Sequence, residues 1–357
     1  MIKALALVAA LACLAACSAP ATPAGAPPSS PSAEHPDLPP GYDEDPERTA
    51  PCGNAQKRGN APTDSLAPTA GPLGPDGRPD GPHVRRIREE GLRIGVSQTG
   101  QFRSKRDLIT GELSGLEIDI AKRVAAALGV PDGDLSMIGL PTGGRLYSLD
   151  TKANRDAKDD EGGRLADVPE VDLVIAGVSV TPCRVETHEL RFSRPYMQTH
   201  SGLLVRAGLS GVAGPEDLAG RKVCSGAGTT NSDEMIDLRD RQRAERRPEL
   251  IPVAVNDTSD CLMLMQRGFV DAVYSDVLIL HGYRHQDPGT VLLDYRSPVT
   301  TKAAVAVSGE QDDLLRFVND VLDDMRADGS LDRAYDTWFQ GLAGHHRLPV
   351  PDDPYGN

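Results

Sequence analysis

The sequence predicts an α/β body of two doubly wound lobes, hinged by two chain crossings, with a cleft at the carboxyl ends of the strands. Three observations predict it. Leu173 to Ala176 is an apolar run of the kind a strand buried on both faces needs, and it breaks at Gly177. Such runs alternate with helical stripes: Leu92–Val96 is followed by Leu116, Ile120, Val124 and Leu128, spaced four apart. The run ending at Cys224 leads into Gly226-Ala227-Gly228-Thr229-Thr230, a glycine-bearing loop that opens a polar helix near Asn231. Such a loop gathers free backbone N–H groups and the positive end of the helix dipole at one spot.

Taken in order, Val84 to Glu90 is a short lead-in helix closed by Gly91, and Leu92–Val96 is the first strand. Thr110-Gly111 marks a turn before the helix that Gly129 stops. Residues 150–168 are polar and charged with two glycines, so they are expected to be a mobile surface loop, or a lid. After Leu173–Ser179, the chain crosses into a second lobe opened by Asp217 to Cys224. There Cys261 to Val273 gives a helix and a strand, and Asp276 follows. The chain then returns as a strand, Ala303 to Val307, and a helix lined by Leu314, Val318, Val321, Leu322 and Met325. Ser330 caps a last helix whose Trp338 is expected to fill core. Lobe one is therefore 83–202 plus 302–343, lobe two 203–301, and 344–357 a C-terminal tail.

The amino terminus reads as an address. Met1-Ile2-Lys3 is a basic start and Ala4 to Ala12 an apolar core too short to span a bilayer. Leu14-Ala15-Ala16-Cys17 resembles a bacterial lipobox, which implies removal of 1–16 and lipid attachment at Cys17. An ordinary secretory signal with a chance cysteine is the alternative. Lipid attachment would anchor the chain on the extracytoplasmic face of the cell membrane. Residues 18–82 hold 16 of the chain's 29 prolines, so 17–82 is expected to be a flexible stalk. A formal net charge of −14 argues against nucleic acid and against an anionic membrane surface.

Of six cysteines, Cys52, Cys183, Cys224 and Cys261 remain after processing, and four allow three pairings. Cys224 and Cys261 both fall in lobe two, which favours their pairing and leaves Cys52 for Cys183. A metal site is the competing idea, but no His or Cys stands at ligand-like short spacing around them. No cofactor or metal is expected.

The stretch from Asp172 to Val205 passes Gly177, Ser179 and Thr181, reaches Arg184, and continues through Phe192-Ser193-Arg194-Pro195-Tyr196. With the opening LRIGV and the helix through Leu128, it resembles the glutamate/aspartate/glutamine-type solute-binding proteins of ABC importers. The resemblance implies a type II periplasmic-binding-protein-like fold that closes on one amino acid and delivers it to a membrane permease. It implies that Arg184 forks onto the ligand carboxylate, aided by Ser179 and the loop of Thr229 and Thr230. It gives the ammonium group to Asp276 and the Gly177 carbonyl. It also sets the segment beginning at Thr142 against the ligand, with Arg145 on a side-chain carboxylate. A helix-capping role for Asp276 and a surface position for Arg145 are the plainer alternatives. Arg103 or Lys105 could add positive potential.

Two departures stand out. Gly115-Leu116-Glu117 replaces the family's Gly-Phe-Asp, and only Phe102 stands near the place where an aromatic ring usually covers the ligand. A polar pocket follows, for glutamate, aspartate or glutamine, or for a ligand outside the standard amino acids. The expected protein is a monomer and not an enzyme. A sensor that signals to a membrane partner would use the same site. A dehydratase-like enzyme would need an acid or base in the cleft. His35, His83, His345 and His346 lie in the stalk or tail and His188 and His200 near the hinge, so only His281 and His285 could approach it.

Overall fold

The computed structural model describes residues 38–47, 65–161 and 167–342. The signal 1–16, Cys17, Cys52 and the tail 344–357 lie outside the described residues, and so does the Cys52–Cys183 pairing. Lobe one is built on parallel strands. Strand β2 (Leu92–Val96) lies between β6 (Leu135–Gly139) and β7 (Leu173–Ser179), in register Ile94 to Met137 and Ile94 to Leu173. Alternate residues of β7 feed opposite faces. Leu173 and Ile175 join a core with helices α1 (Pro82–Glu90) and α2 (Leu116–Leu128), while Val174, Ala176 and Val178 join a second cluster behind the sheet. That two-sided burial is why the run reads as continuously apolar.

Lobe two repeats the plan. Strand β10 (Lys222–Gly226) runs parallel to β11 (Ile251–Val255) and β12 (Ala272–Asp276). Cys224, in β10, is bonded to Cys261 of helix α6 (Asp260–Gln266), with 5.6 Å between their Cα atoms.

The two sheets are joined by one strand. The first half of β9 (Met197–Arg206), Met197 to His200, pairs antiparallel with Ala303 to Thr300 of β14 (Thr300–Ser308). Its second half, Ser201 to Val205, pairs with Asp276 to Ala272. Two short strands extend the join, β8 (Leu190–Phe192) on β14 and β13 (Thr290–Leu292) on β9. Both chain crossings therefore sit at one place, His200-Ser201 and the start of β14. The carboxyl ends of β7, β10 and β12 converge there.

Two expectations are corrected. Of the predicted stalk, residues 38–47 and 65–82 are folded onto the body. Strand β1 (Asp43–Glu44) pairs with the outer edge of β11, and Leu38 and Tyr42 pack on the lobe-two core. Arg316 donates to the Ala67 carbonyl (2.7 Å), Asn319 to Ser65 and Leu66 (2.8 Å each), and Arg78 pairs with Asp320 and Asp324. Proline and glycine prevent this segment from building a core of its own, but it needs none, because body side chains satisfy its backbone. Residues 150–168 are likewise no simple loop. They contain helix α3 (Lys152–Glu161), started where Thr151 Oγ1 accepts from the Asn154 N–H at 3.1 Å. Asn154 is buried and donates to the Leu146 and Leu149 carbonyls, at 2.7 and 2.8 Å, which ties the helix to lobe one.

Among the described residues, no helix is long and apolar enough to cross a membrane, and no cluster of three His, Cys, Asp or Glu side chains could hold a metal ion.

Candidate ligand-binding cleft

Three strand ends and one helix start build the site. Strand β7 ends in Gly177-Val178-Ser179, and Thr181 then caps a short helix, α4 (Pro182–Glu186), its Oγ1 accepting from the Arg184 N–H at 3.3 Å. That cap turns the Arg184 side chain back over the strand, where it donates to the Ser179 carbonyl at 2.6 Å. Opposite, β10 ends at Gly226, and Thr229 caps helix α5 (Thr230–Ala244), accepting from the Ser232 N–H at 3.1 Å. Strand β12 ends at Asp276, which opens helix α7 (Val277–Gln286).

These ends enclose one cavity of about 50 Å³. Gly177, Ser179, Arg184, Thr142, Arg145, Thr229, Thr230 and Asp276, all eight residues singled out from the sequence, line it together. The lobes meet over it: Thr142 and Thr258 hydroxyls share a hydrogen bond of 3.1 Å, the Gly143 N–H donates to the Asn256 carbonyl at 3.0 Å, and Arg184 reaches the Gly228 carbonyl at 3.4 Å. The cleft is thus closed over a small polar space, and the lobes must part to admit a molecule.

The alternative of a surface position for Arg145 does not hold. It follows a 3₁₀ turn (Thr142–Gly144), donates Nη1 to the Ala176 carbonyl at 2.8 Å, and keeps a buried Nε without a partner. The capping alternative for Asp276 holds alongside its place in the cavity. Oδ1 accepts from the Leu278 N–H at 2.8 Å, and Oδ2 faces Arg103 Nη1 at 3.7 Å.

Arg103 is the residue whose position sequence reasoning did not locate. It sits between β3 (Thr99–Gly100) and β4 (Ser104–Arg106), in a small sheet completed by β5 (Leu113–Ser114). Its guanidinium lies so close to Gly177 that a Cβ there would fall 1.5 Å from Nη2, and Gly177 takes a φ of 65°, so any other residue would be strained and would push the guanidinium aside. Thr258, Ser275, Asn231 and Thr301 also line the cavity, and no sequence pattern announces them. Phe102 does not; its ring is 6.0 Å from that of His285.

The charges of the cavity are unevenly matched. Burial pushes the Arg184 guanidinium down to about 10, with Asp233 opposing and Arg145 adding to the effect. Burial also lowers Arg145, Asp257 opposing and Arg103 adding. At the other end, burial raises the Asp276 carboxyl above the usual range despite Arg103. Arg103 itself is held above its ordinary value, because Glu117 and then Asp276 outweigh its burial. Among the described residues Arg145 and Arg184 bond only to carbonyl oxygens, and Asp276 has its nearest cation, Arg103 Nη1, at 3.7 Å, beyond hydrogen-bond distance. A buried charge left in that condition costs several kcal/mol. A small molecule with a carboxylate at one end and a cation at the other would relieve both.

The family model for bacterial extracellular solute-binding proteins, family 3, matches residues 166–341. The match spans just under half of the chain, and over that stretch the chain is similar to this family. It is 26% identical over 227 residues to the glutamate-binding protein GluB of Corynebacterium efficiens, which covers 62% of this chain and 69% of that one. It is 27% identical over 259 residues to the L-cystine-binding protein TcyJ of Escherichia coli, 72% of this chain and 85% of that one. Among solved structures, an ancestral arginine-binding protein bound to glutamine is similar over 70% of this chain and 98% of its own, at 26% identity and a TM-score of 0.56. The type II periplasmic-binding fold of the family is the architecture described above.

Proposed function

We propose that this protein is the lipid-anchored substrate-binding component of an ABC amino-acid importer, closing its lobes around an acidic amino acid or its amide. One observation carries the reading: the Arg184 guanidinium, whose hydrogen bonds among the described residues go to the Ser179 and Gly228 carbonyls, and the Asp276 carboxylate line the same closed cavity, opposite in sign to the two charges an α-amino acid brings. Arg184 takes the carboxylate, with the start of helix α5 facing it across the cavity. Asp276 Oδ2 takes the ammonium group, and Arg145, with its unpartnered Nε, takes a side-chain oxygen. Relatives named for glutamate and cystine, and a similar structure bound to glutamine, support an amino acid as the ligand class.

The lining supports binding rather than catalysis. Among the described residues it holds arginine, threonine, serine, asparagine, glycine and aliphatic side chains with Asp276, and no histidine, glutamate or cysteine. The lipobox-like Leu14-Ala15-Ala16-Cys17 supports attachment to the extracytoplasmic face of the cell membrane.

The test is the thermal unfolding midpoint of the mature protein in the presence of each standard amino acid. A ligand at a hundred times its Kd stabilises by about 2.7 kcal/mol, which a melting curve resolves. Glutamate, aspartate or one of their amides should raise the midpoint. No shift with any amino acid would overturn the reading.

A further inference from the structure

Arg103 is only 4% exposed, and Glu117 beside it is 0% exposed. Nε and Nη2 of Arg103 donate to the same Glu117 Oε1, at 3.1 and 2.7 Å. Tyr196 OH donates to that oxygen at 2.8 Å and accepts from the Gly177 N–H at 3.2 Å, so the pair is tied to the end of β7. The hairpin reaches this place through two backbone devices. Phe102 takes a φ of 69°, and Gly115 takes 131°, where a Cβ would meet the Arg103 carbonyl at 2.3 Å. Moving the guanidinium away would strand a buried carboxylate, so Arg103 is a fixed wall of the cavity.

Two of its three nitrogens are committed to Glu117. The third, Nη1, lines the cavity 3.7 Å from Asp276 Oδ2 and donates no hydrogen bond among the described residues. We propose that Arg103 is the specificity-determining residue of the cleft: Nη1 receives the side-chain carboxylate of the ligand and turns away cationic side chains. The inference rests on the amino-acid reading above and narrows it to the acidic members.

Charge points the same way. Among the residues that line the cavity, Arg103, Arg145 and Arg184 are cationic and only Asp276 is anionic. Glu117, Asp257 and Asp233 act on Arg103, Arg145 and Arg184 from outside the lining. A cationic side chain would face three guanidiniums there, and an acidic one brings the opposite charge. The pairing also explains the departure at Glu117, whose extra methylene relative to aspartate carries the carboxylate to Arg103.

The test titrates the mature chain with L-glutamate, L-aspartate, L-glutamine and L-arginine, beside Arg103→Met/Glu117→Gln, in which the introduced amide oxygen can still accept from Tyr196. The wild type should prefer an acidic ligand over glutamine by at least about tenfold and should not bind arginine, as expected for a lost charged hydrogen bond. The double variant should lose that preference by about tenfold while still binding amino acids. Should it fail to fold, Arg103→Lys keeps the charge but removes Nη1, and should weaken the acidic ligand by about tenfold. An unchanged preference in the double variant, an unchanged affinity in Arg103→Lys, or arginine binding by the wild type overturns the assignment. A wild type that binds no amino acid overturns the parent reading, and this one with it.

Discussion

Thr142 of lobe one and Thr258 of lobe two meet across the cleft, their hydroxyl oxygens 3.1 Å apart, and the Thr258 N–H also donates to Thr142 Oγ1 at 3.3 Å. Both side chains line the cavity, so one contact closes the lobes and forms part of the wall. Closure and binding are therefore coupled at this pair.

Replacing either hydroxyl should favour the open form. Thr142→Val and Thr258→Val are each expected to weaken ligand binding by about 5- to 30-fold, the worth of about 1–2 kcal/mol. The unfolding midpoint of the free protein should move little. In a double-mutant cycle the two losses should not add, because they remove one interaction. Additive losses would show that the pair does not act as a unit.

Asp276 should behave as a residue kept for its function at a cost to stability. Burial raises its carboxyl, so the folded state binds that proton more tightly than the unfolded chain does. Its contribution to stability is present below the unfolded value and is lost as the pH rises through the folded one. At neutral pH the ligand-free protein carries the penalty. Asp276→Asn, which can still cap helix α7, should leave the ligand-free midpoint unchanged or higher and abolish stabilisation by ligand. A lower midpoint in the ligand-free variant would contradict this.

The same shift predicts how binding depends on pH. An ammonium group needs the ionised carboxylate, so affinity should fall on acidification. The fall should begin at a higher pH than an ordinary aspartate, near 3.9, would give. Calorimetric titration between about pH 4 and 7 reads this directly.

The Cys224–Cys261 bond closes a loop within lobe two, with 37 residues of sequence separation, and both residues are fully buried. Cys224→Ala/Cys261→Ala should lower the unfolding free energy by about 2–4 kcal/mol. Neither residue lines the cavity, so ligand affinity should hold in the protein that remains folded. Urea unfolding with parallel calorimetry separates the two effects.

Much of this could be read in the chain because the informative residues lie where regular elements end. A run such as Leu173 to Ala176 announces a strand buried on both faces, and Gly177 and Arg184 mark its end. Thr229 announces a helix cap, and the lobe assignment of Cys224 and Cys261 anticipates their bond. What escaped was held by long-range polar contacts. The segment at 65–82 looks like a stalk because the side chains that bind it, Arg316 and Asn319, come some 250 residues later. Arg103 could be named only beside Lys105 as added positive potential, because its partner Glu117 replaces a familiar aspartate and the turn geometry that joins them leaves no periodic signal. Thr258 has no partner nearby in sequence; its counterpart is Thr142, in the other lobe.

The most direct test of the central claim is a calorimetric titration of the mature protein and of Arg184→Ala with L-glutamate and L-aspartate. The account predicts saturable binding at one ligand per chain, weakened at least about a hundredfold when the guanidinium that takes the carboxylate is removed. Binding that survives unchanged in Arg184→Ala, or no binding of either ligand or its amide to the wild type, would contradict it.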